Sequence, residues 1–185
     1  MSPIASAELR TAAAVILVLV PLTAAWSSHA PHPAPATFSC PVAVRFSPHG
    51  GAEQAVVDTL RGARVRVSAA IYGLTSSAIE AALGDRARAG VRVAVKTDRS
   101  QSAGQEQASV LGRLRDAGVA VEVSRSRSLL HDKFAVVDGR WVITGSFNWT
   151  ASAERRNHEN VLIFDCPGLA AHFEAEWEHI PPTLR

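Results

Sequence analysis

Apolar and polar positions alternate in "VAVRFSP" (Val42 to Pro48) and again in "RVRVSAAI" (Arg64 to Ile71), the two-residue period of strands. Between them "HGG" marks a turn, and "AEQAVVDTLRGA" places Val56, Val57 and Leu60 at helical spacing. Ser77 and Glu80 form a capping box that opens a second helix, which runs to Gly90. "VRVAVK" (Val91 to Lys96) is the next strand. "GQEQASVLGRLRDAG" is the next helix, closed by Gly118, and "VAVEV" (Val119 to Val123) the strand after it. This βαβαβ rhythm predicts an α/β sheet with parallel neighbours and helices on its faces.

After Val123 the rhythm changes. "KFAVVDGRWVITG" holds two apolar runs joined by Asp138-Gly139, a strong hairpin signal. "ENVLIF" (Glu159 to Phe164) is a last strand, and Leu169, Phe173, Trp177 and Ile180 give a closing helix one apolar stripe. The expected fold is α/β, a mixed, largely parallel β-sheet flanked by helices, with one domain per chain.

Residues 1–25 read as a signal peptide or N-terminal anchor. "TAAAVILVLVPLTAA" has the length of a signal-peptide core and is short for a membrane span. Cleavage after Ala24 or Ala25 satisfies the small-residue preference; Glu8 offsets Arg10, a weakly basic start that also fits a retained anchor. A Pro- and Ala-rich linker follows over 26–39, and residues 40–185 form the domain. The expected destination is outside the cytoplasm, secreted or held at the cell envelope. In that oxidising setting the even cysteine count predicts one disulfide. It would join Cys40, before the first strand, to Cys166, after the last.

The formal charge of +2 is too small to announce a nucleic-acid partner, so electrostatic attraction has to be local. No Gly-rich nucleotide loop and no clustered Cys/His spacing occurs, so no metal and no cofactor is expected. On a strand, residues i and i+2 face one way, so His131 and Lys133 share a side. Ser146 and Asn148 share one if that stretch is still extended, and Gly145 before them would let the backbone approach a ligand. Two such pairs at the ends of neighbouring hairpin strands suit a phosphodiester: charge from Lys133, neutral donors from Ser146 and Asn148, a nucleophile or proton carrier in His131. Singly, each residue has a plainer reading. His49, His158, His172 and His179 are read as solvated bystanders, and Asp138 is what the turn itself requires.

"HDKFAVVD" is similar to the His-x-Lys-x4-Asp signature of the phospholipase D superfamily, through His131, Lys133 and Asp138. "GSFNWT" (145–150) resembles the Gly-Ser-x-Asn element that follows it, and "NHEN" (157–160) the segment with the family's supporting glutamate, here Glu159. "RFSPHGGAEQAVVDTLRGA" and "AAIYGLTSSAIEAAL" resemble the small bacterial endonuclease branch and its relative, the mitochondrial cardiolipin hydrolase. The resemblance implies the phospholipase D/nuclease fold and metal-independent hydrolysis through a phosphohistidine. Larger members carry the motif twice; this sequence carries one His-x-Lys. The small branch implies a homodimer with a shared site, and chemistry agrees, since in-line displacement needs a nucleophile and a proton donor on opposite sides.

The implied roles are nucleophile and proton carrier for His131, and phosphate binding for Lys133, Asn148 and Ser146. Glu159 would orient the His131 ring, and Asp138 is structural. A nuclease acting on DNA or RNA would draw on Arg125, Arg127 and a base-stacking Trp149. The plainer readings are a solvated loop for the arginines and a core or interface position for the tryptophan. A phospholipase D would draw on Leu129, Leu130 and the N-terminal anchor. A non-catalytic nucleic-acid-binding module is the third reading, and the intact His, Lys, Asn and Glu set speaks against it.

Overall fold

The computed structural model describes residues 34–124 and 126–181. The expected leader, the linker up to residue 33, and Arg125 lie outside the described residues; 34–39 form an exposed segment without regular structure. Seven strands follow: β1 (Val42–Ser47), β2 (Arg66–Ile71), β3 (Arg92–Thr97), β4 (Ala120–Val123), β5 (Lys133–Val137), β6 (Trp141–Gly145) and β7 (Glu159–Asp165). The helices are α1 (Ala52–Arg61), α2 (Ser77–Arg88), α3 (Arg99–Ser102), α4 (Gln105–Asp116), α5 (Ala151–Arg155) and α6 (Pro167–His179).

The strands form one mixed sheet in the order β1-β7-β6-β5-β2-β3-β4. Only the two joins of β2–β3–β4 are parallel and the other four are antiparallel, so the sheet is mixed as expected but not largely parallel: the hairpin and β7 add antiparallel neighbours. The alternation correctly marks β1 as a strand, but β1 pairs with β7 at the far edge instead of lying beside β2. The β5–β6 hairpin takes the β2 edge, and Asp138 latches it there. Its carboxylate accepts the backbone N–H groups of Arg64, Val65 and Arg66 at 2.8–2.9 Å. Asp138 and Gly139 both adopt positive φ (54° and 64°), as the tight hairpin turn requires.

The main core lies between one sheet face and α1, α2 and α4. Leu60, Ile79, Leu83, Leu111 and Leu114 pack there against Val67, Ala69, Ile71, Val95 and Ala135. Each such aliphatic side chain contributes roughly 1.5–3 kcal/mol on burial. On the opposite face α6 covers β2, β5 and β6, with Phe173 and Trp177 against Ala70 and Phe134. Strands buried on both faces explain the continuous apolar runs at the end of β2 (Ala69 to Ile71) and through β5 (Phe134 to Val137). Lys96 is buried under α6; its ammonium donates to the carbonyls of Trp177 and Ile180, closing that helix's last turn.

The cap of α2 differs from the sequence expectation. Ser76, not Ser77, is the N-cap, and its hydroxyl accepts the Ile79 N–H. Ser76 is buried and its N–H is tied to the Trp149 carbonyl, which fixes where the helix begins. Glu80 instead forms a two-point ion pair with Arg113 of α4. The expected disulfide between Cys40 and Cys166 is present, with Cα atoms 5.5 Å apart.

Burial pushes the Asp138 carboxyl up, but the amides of Arg66, Val65 and Arg64 outweigh it and hold the pKa below the usual carboxylate value. A depressed carboxylate stabilises the fold above its unfolded pKa, near about 3.9, and that stability is lost as pH falls through the folded value. Asp138→Ala should cost about 1–3 kcal/mol at pH 7 in urea unfolding. The gap from wild type should narrow below about pH 4. An unchanged unfolding midpoint at pH 7 would show that the latch contributes nothing.

Candidate active site

Strand directions gather the chemistry at one end of the sheet. The carboxyl ends of β1, β2, β3, β4 and β6 meet the amino ends of β5 and β7 there. Ligands of open α/β sheets bind outside such carboxyl ends.

His131 precedes β5 and Lys133 opens it. Both neighbours of His131 are pinned. The Leu130 N–H donates to Asp98 Oδ2 at 3.0 Å, and the Asp132 carbonyl accepts from the Tyr72 N–H at 2.9 Å. Leu130 is buried against Phe134 and Ile180, so the imidazole between these anchors is thrown outward and exposed. Lys133 Nζ donates to the His131 carbonyl at 2.6 Å and lies 3.1 Å from Nδ1 and 3.3 Å from Nε2 of the ring. Burial lowers the Lys133 pKa, and the charges of Asp132 and Glu159 act against that shift. Asp132 faces the other way; burial and nearby Glu176 raise its carboxyl above the usual value.

Ser146 and Asn148 face away from the core because Phe147 and Trp149, on either side of Asn148, are buried in it. Ser146 Oγ donates to Glu159 at 2.5 Å and accepts the Asn160 N–H at 3.1 Å. Glu159 also accepts from Asn157 Nδ2 at 3.0 Å, so within one subunit Ser146 and Asn157, not the His131 ring, engage it. Asn148 Oδ1 accepts the Gly73 N–H at 3.2 Å. Its NH2 group has no protein partner among the described residues and is free to donate to a ligand.

Three expectations change. Trp149 is 1% exposed, which removes it as a base-stacking surface. Leu130 is likewise buried, while Leu129 is exposed. Gly145 is glycine for its φ of 142° and because a Cβ there would strike the backbone and side chain of Asn160 on β7. A neighbouring strand, not a ligand, makes the close approach.

The structure adds residues the sequence reading missed. Tyr72 lies 4.7 Å from the His131 ring, with Lys133 Nζ 5.3 Å above its face. Its hydroxyl accepts from Gln101 at 2.9 Å. Asp98 is 3% exposed, caps α3 and holds Leu130. The available signals were slight: Tyr72 is the only tyrosine and follows an apolar strand, and Asp98 follows another.

Comparison with known proteins identifies the family and the fold. Residues 56–180 match the family described as cardiolipin synthase, PLD-like domain. A phospholipase D of Rickettsia bellii is 35% identical over 136 residues, covering 74% of this chain and 67% of the relative. A mitochondrial cardiolipin hydrolase of Xenopus laevis is 38% identical over 143 residues, covering 77% of this chain but 65% of the relative, just under two thirds of its length. Among solved structures, the phospholipase D family member Nuc from Salmonella typhimurium superposes with a TM-score of 0.74 at 29% identity, over 77% of this chain and 94% of that one. NucT from Helicobacter pylori shares the fold, with a TM-score of 0.69 at 22% identity over 77% and 96% of the two chains.

Asp98→Ala should strand the Leu130 N–H and loosen the loop that presents His131. Amide exchange from Leu130 to Lys133 should accelerate, with a stability loss of about 1–3 kcal/mol. Exchange protection equal to wild type would show that Asp98 does not hold the loop.

Proposed function

This chain belongs to the phospholipase D superfamily, a family of phosphodiesterases, and on that premise we propose that it is a homodimeric, metal-independent nuclease working through a phosphohistidine. The observation that carries the reading is the pinned, outward His131 beside Lys133, at the sheet end that also holds Asn148, Ser146 and Glu159. One imidazole cannot attack phosphorus and protonate the opposite leaving oxygen, so half of a site stands in each subunit. A surface for the second copy is available: Val42, Val44 and Phe46 lie on one face of the edge strand β1 and are 46%, 41% and 60% exposed.

In the proposed reaction, a ring nitrogen of His131 attacks phosphorus while the bond to the leaving oxygen breaks. The partner subunit's His131 gives that oxygen its proton. The same partner ring then takes a proton from water, whose oxygen displaces the phosphohistidine and restores the first imidazole. Lys133 and the Asn148 NH2 group hold the non-bridging oxygens. Ser146, between Glu159 and Asn160, fixes the floor beneath them. Glu159 serves the far nitrogen of an imidazole brought across the interface. Lys133 and the proton carried by the partner subunit's ring supply the positive charge at the phosphate in this scheme. The N-terminal apolar segment supports export, with or without retention as an anchor.

A phospholipase D activity is the second reading, favoured by Leu129, which is 61% exposed two residues before His131. Purified protein mixed with plasmid, RNA or phosphatidylcholine vesicles in chelator separates the two. Nucleic acid should be cut and lipid spared, and His131→Ala should abolish turnover. Cleavage of lipid alone, or loss of all activity in chelator, overturns the proposal. The pH–rate profile should be a bell, because two copies of one imidazole, a group titrating near about 6.5 when free, must hold opposite protonation states. A flat profile from about pH 4 to 9 would exclude the acid–base pair.

A further inference from the structure

Beyond Asn148 the chain enters α5, and beside this helix lies a cleft of about 230 Å3 that the hydrolytic machinery does not use. Its lining includes the hydroxyl residues Thr75, Thr150 and Ser152, the guanidinium groups of Arg155 and Arg156, and one carboxylate, Glu106 of α4. Both arginines are exposed. Arg66, Arg88, Arg113 and Arg140 are each held by a carboxylate within 4 Å (Glu174, Asp85, Glu80 and Asp165). Arg155 and Arg156, like Arg45, Arg61, Arg92, Arg99 and Arg115, make no ion pair among the described residues, and they are the two that line this cleft together.

The cleft adjoins the site. Thr75 N–H donates to the Trp149 carbonyl at 2.8 Å, and Gly73 N–H donates to Asn148 at 3.2 Å, so one strap of backbone borders both. Thr150 is two residues from Asn148, a span of at most about 7 Å. Phosphates fall every ~3.4 Å along the axis of each strand of a duplex, so this reach is of the order of one or two nucleotides.

We propose that this cleft is a second phosphate subsite, in which Arg155 and Arg156 hold the backbone phosphate next to the one being cut. The assignment rests on the nuclease reading and deepens it. A polynucleotide presents a neighbouring phosphodiester to such a cleft, and phosphatidylcholine has none to offer. Glu106 opposes the ligand, so the two guanidinium groups leave a net charge of one cation.

The test compares bis(4-nitrophenyl) phosphate, which has a single phosphodiester, with a short single-stranded oligonucleotide. Arg155→Ala/Arg156→Ala should lower kcat/KM on the oligonucleotide about tenfold or more, and its log–log salt slope by roughly 0.7, for one neutralised phosphate on a single strand. Turnover of the small diester should not change. Glu106→Gln should raise oligonucleotide kcat/KM. A parallel fall on both substrates, or an unchanged oligonucleotide rate, overturns the subsite. So does a loss confined to vesicles of cardiolipin, a lipid with two phosphates. If the wild type hydrolyses the small diester and spares the oligonucleotide, the nuclease reading has failed before any variant is made.

Discussion

Four hydrogen bonds splice the loop after β2 to the loop after β6, and the placement of the site depends on them. Trp149 N–H donates to the Gly73 carbonyl, the Trp149 carbonyl accepts from Thr75 and Ser76, and the Asn148 side chain accepts from Gly73. The buried indole of Trp149 anchors the splice from below. On one side, Tyr72 precedes the splice and lies against His131. On the other, Ser76 leaves it to start α2. The Asn148 amide, the face of an imidazole and the origin of a helix are thus set by one short stretch of backbone pairing. Buried backbone bonds resist distortion because leaving either partner unmet is costly.

The strands and the hairpin were readable because alternation and Asp138-Gly139 are local signals. Pairing order was not. Nothing in "VAVRFSP" says that β1 crosses to the far edge, since any strand with those residues could sit beside β2. The His131–Lys133 pair was legible because two residues of spacing fix a shared side. What holds the pair was hidden: Tyr72 and Asp98 follow β2 and β3 and Gln101 lies on α3, and their contacts exist only once β2, β3 and β5 are neighbours. Trp149 and Gly145 show the same limit from the other direction. Each suggested a ligand by residue type, and each is explained by packing against its own chain.

Charge also escapes a composition-level view. A formal balance of +2 averages arginines that are locked into ion pairs with others that are not. Paired surface guanidinium groups have most of their field cancelled nearby, and their net worth is small. Unpaired ones beside a cleft keep theirs for an incoming anion. The relevant quantity for a phosphodiesterase is therefore the local distribution at the catalytic end of the sheet, which folding decides.

The least protected element of the fold reaches this site as well. Strand β1 is exposed along nearly its whole length and has a neighbour on one side only, β7. The Cys40–Cys166 bridge ties its amino end to the end of β7. At its other end, buried Ser47 donates to the Asn157 carbonyl, and Asn157 in turn donates through its side chain to Glu159, which receives Ser146. A strand that packed loosely would transmit its looseness along that chain of bonds to the carboxylate. An edge strand bearing three exposed apolar residues is also a liability for a solitary chain. Covering that face in an assembly would remove the liability and would steady Ser47, and with it the chain of bonds that ends at the Glu159 carboxylate.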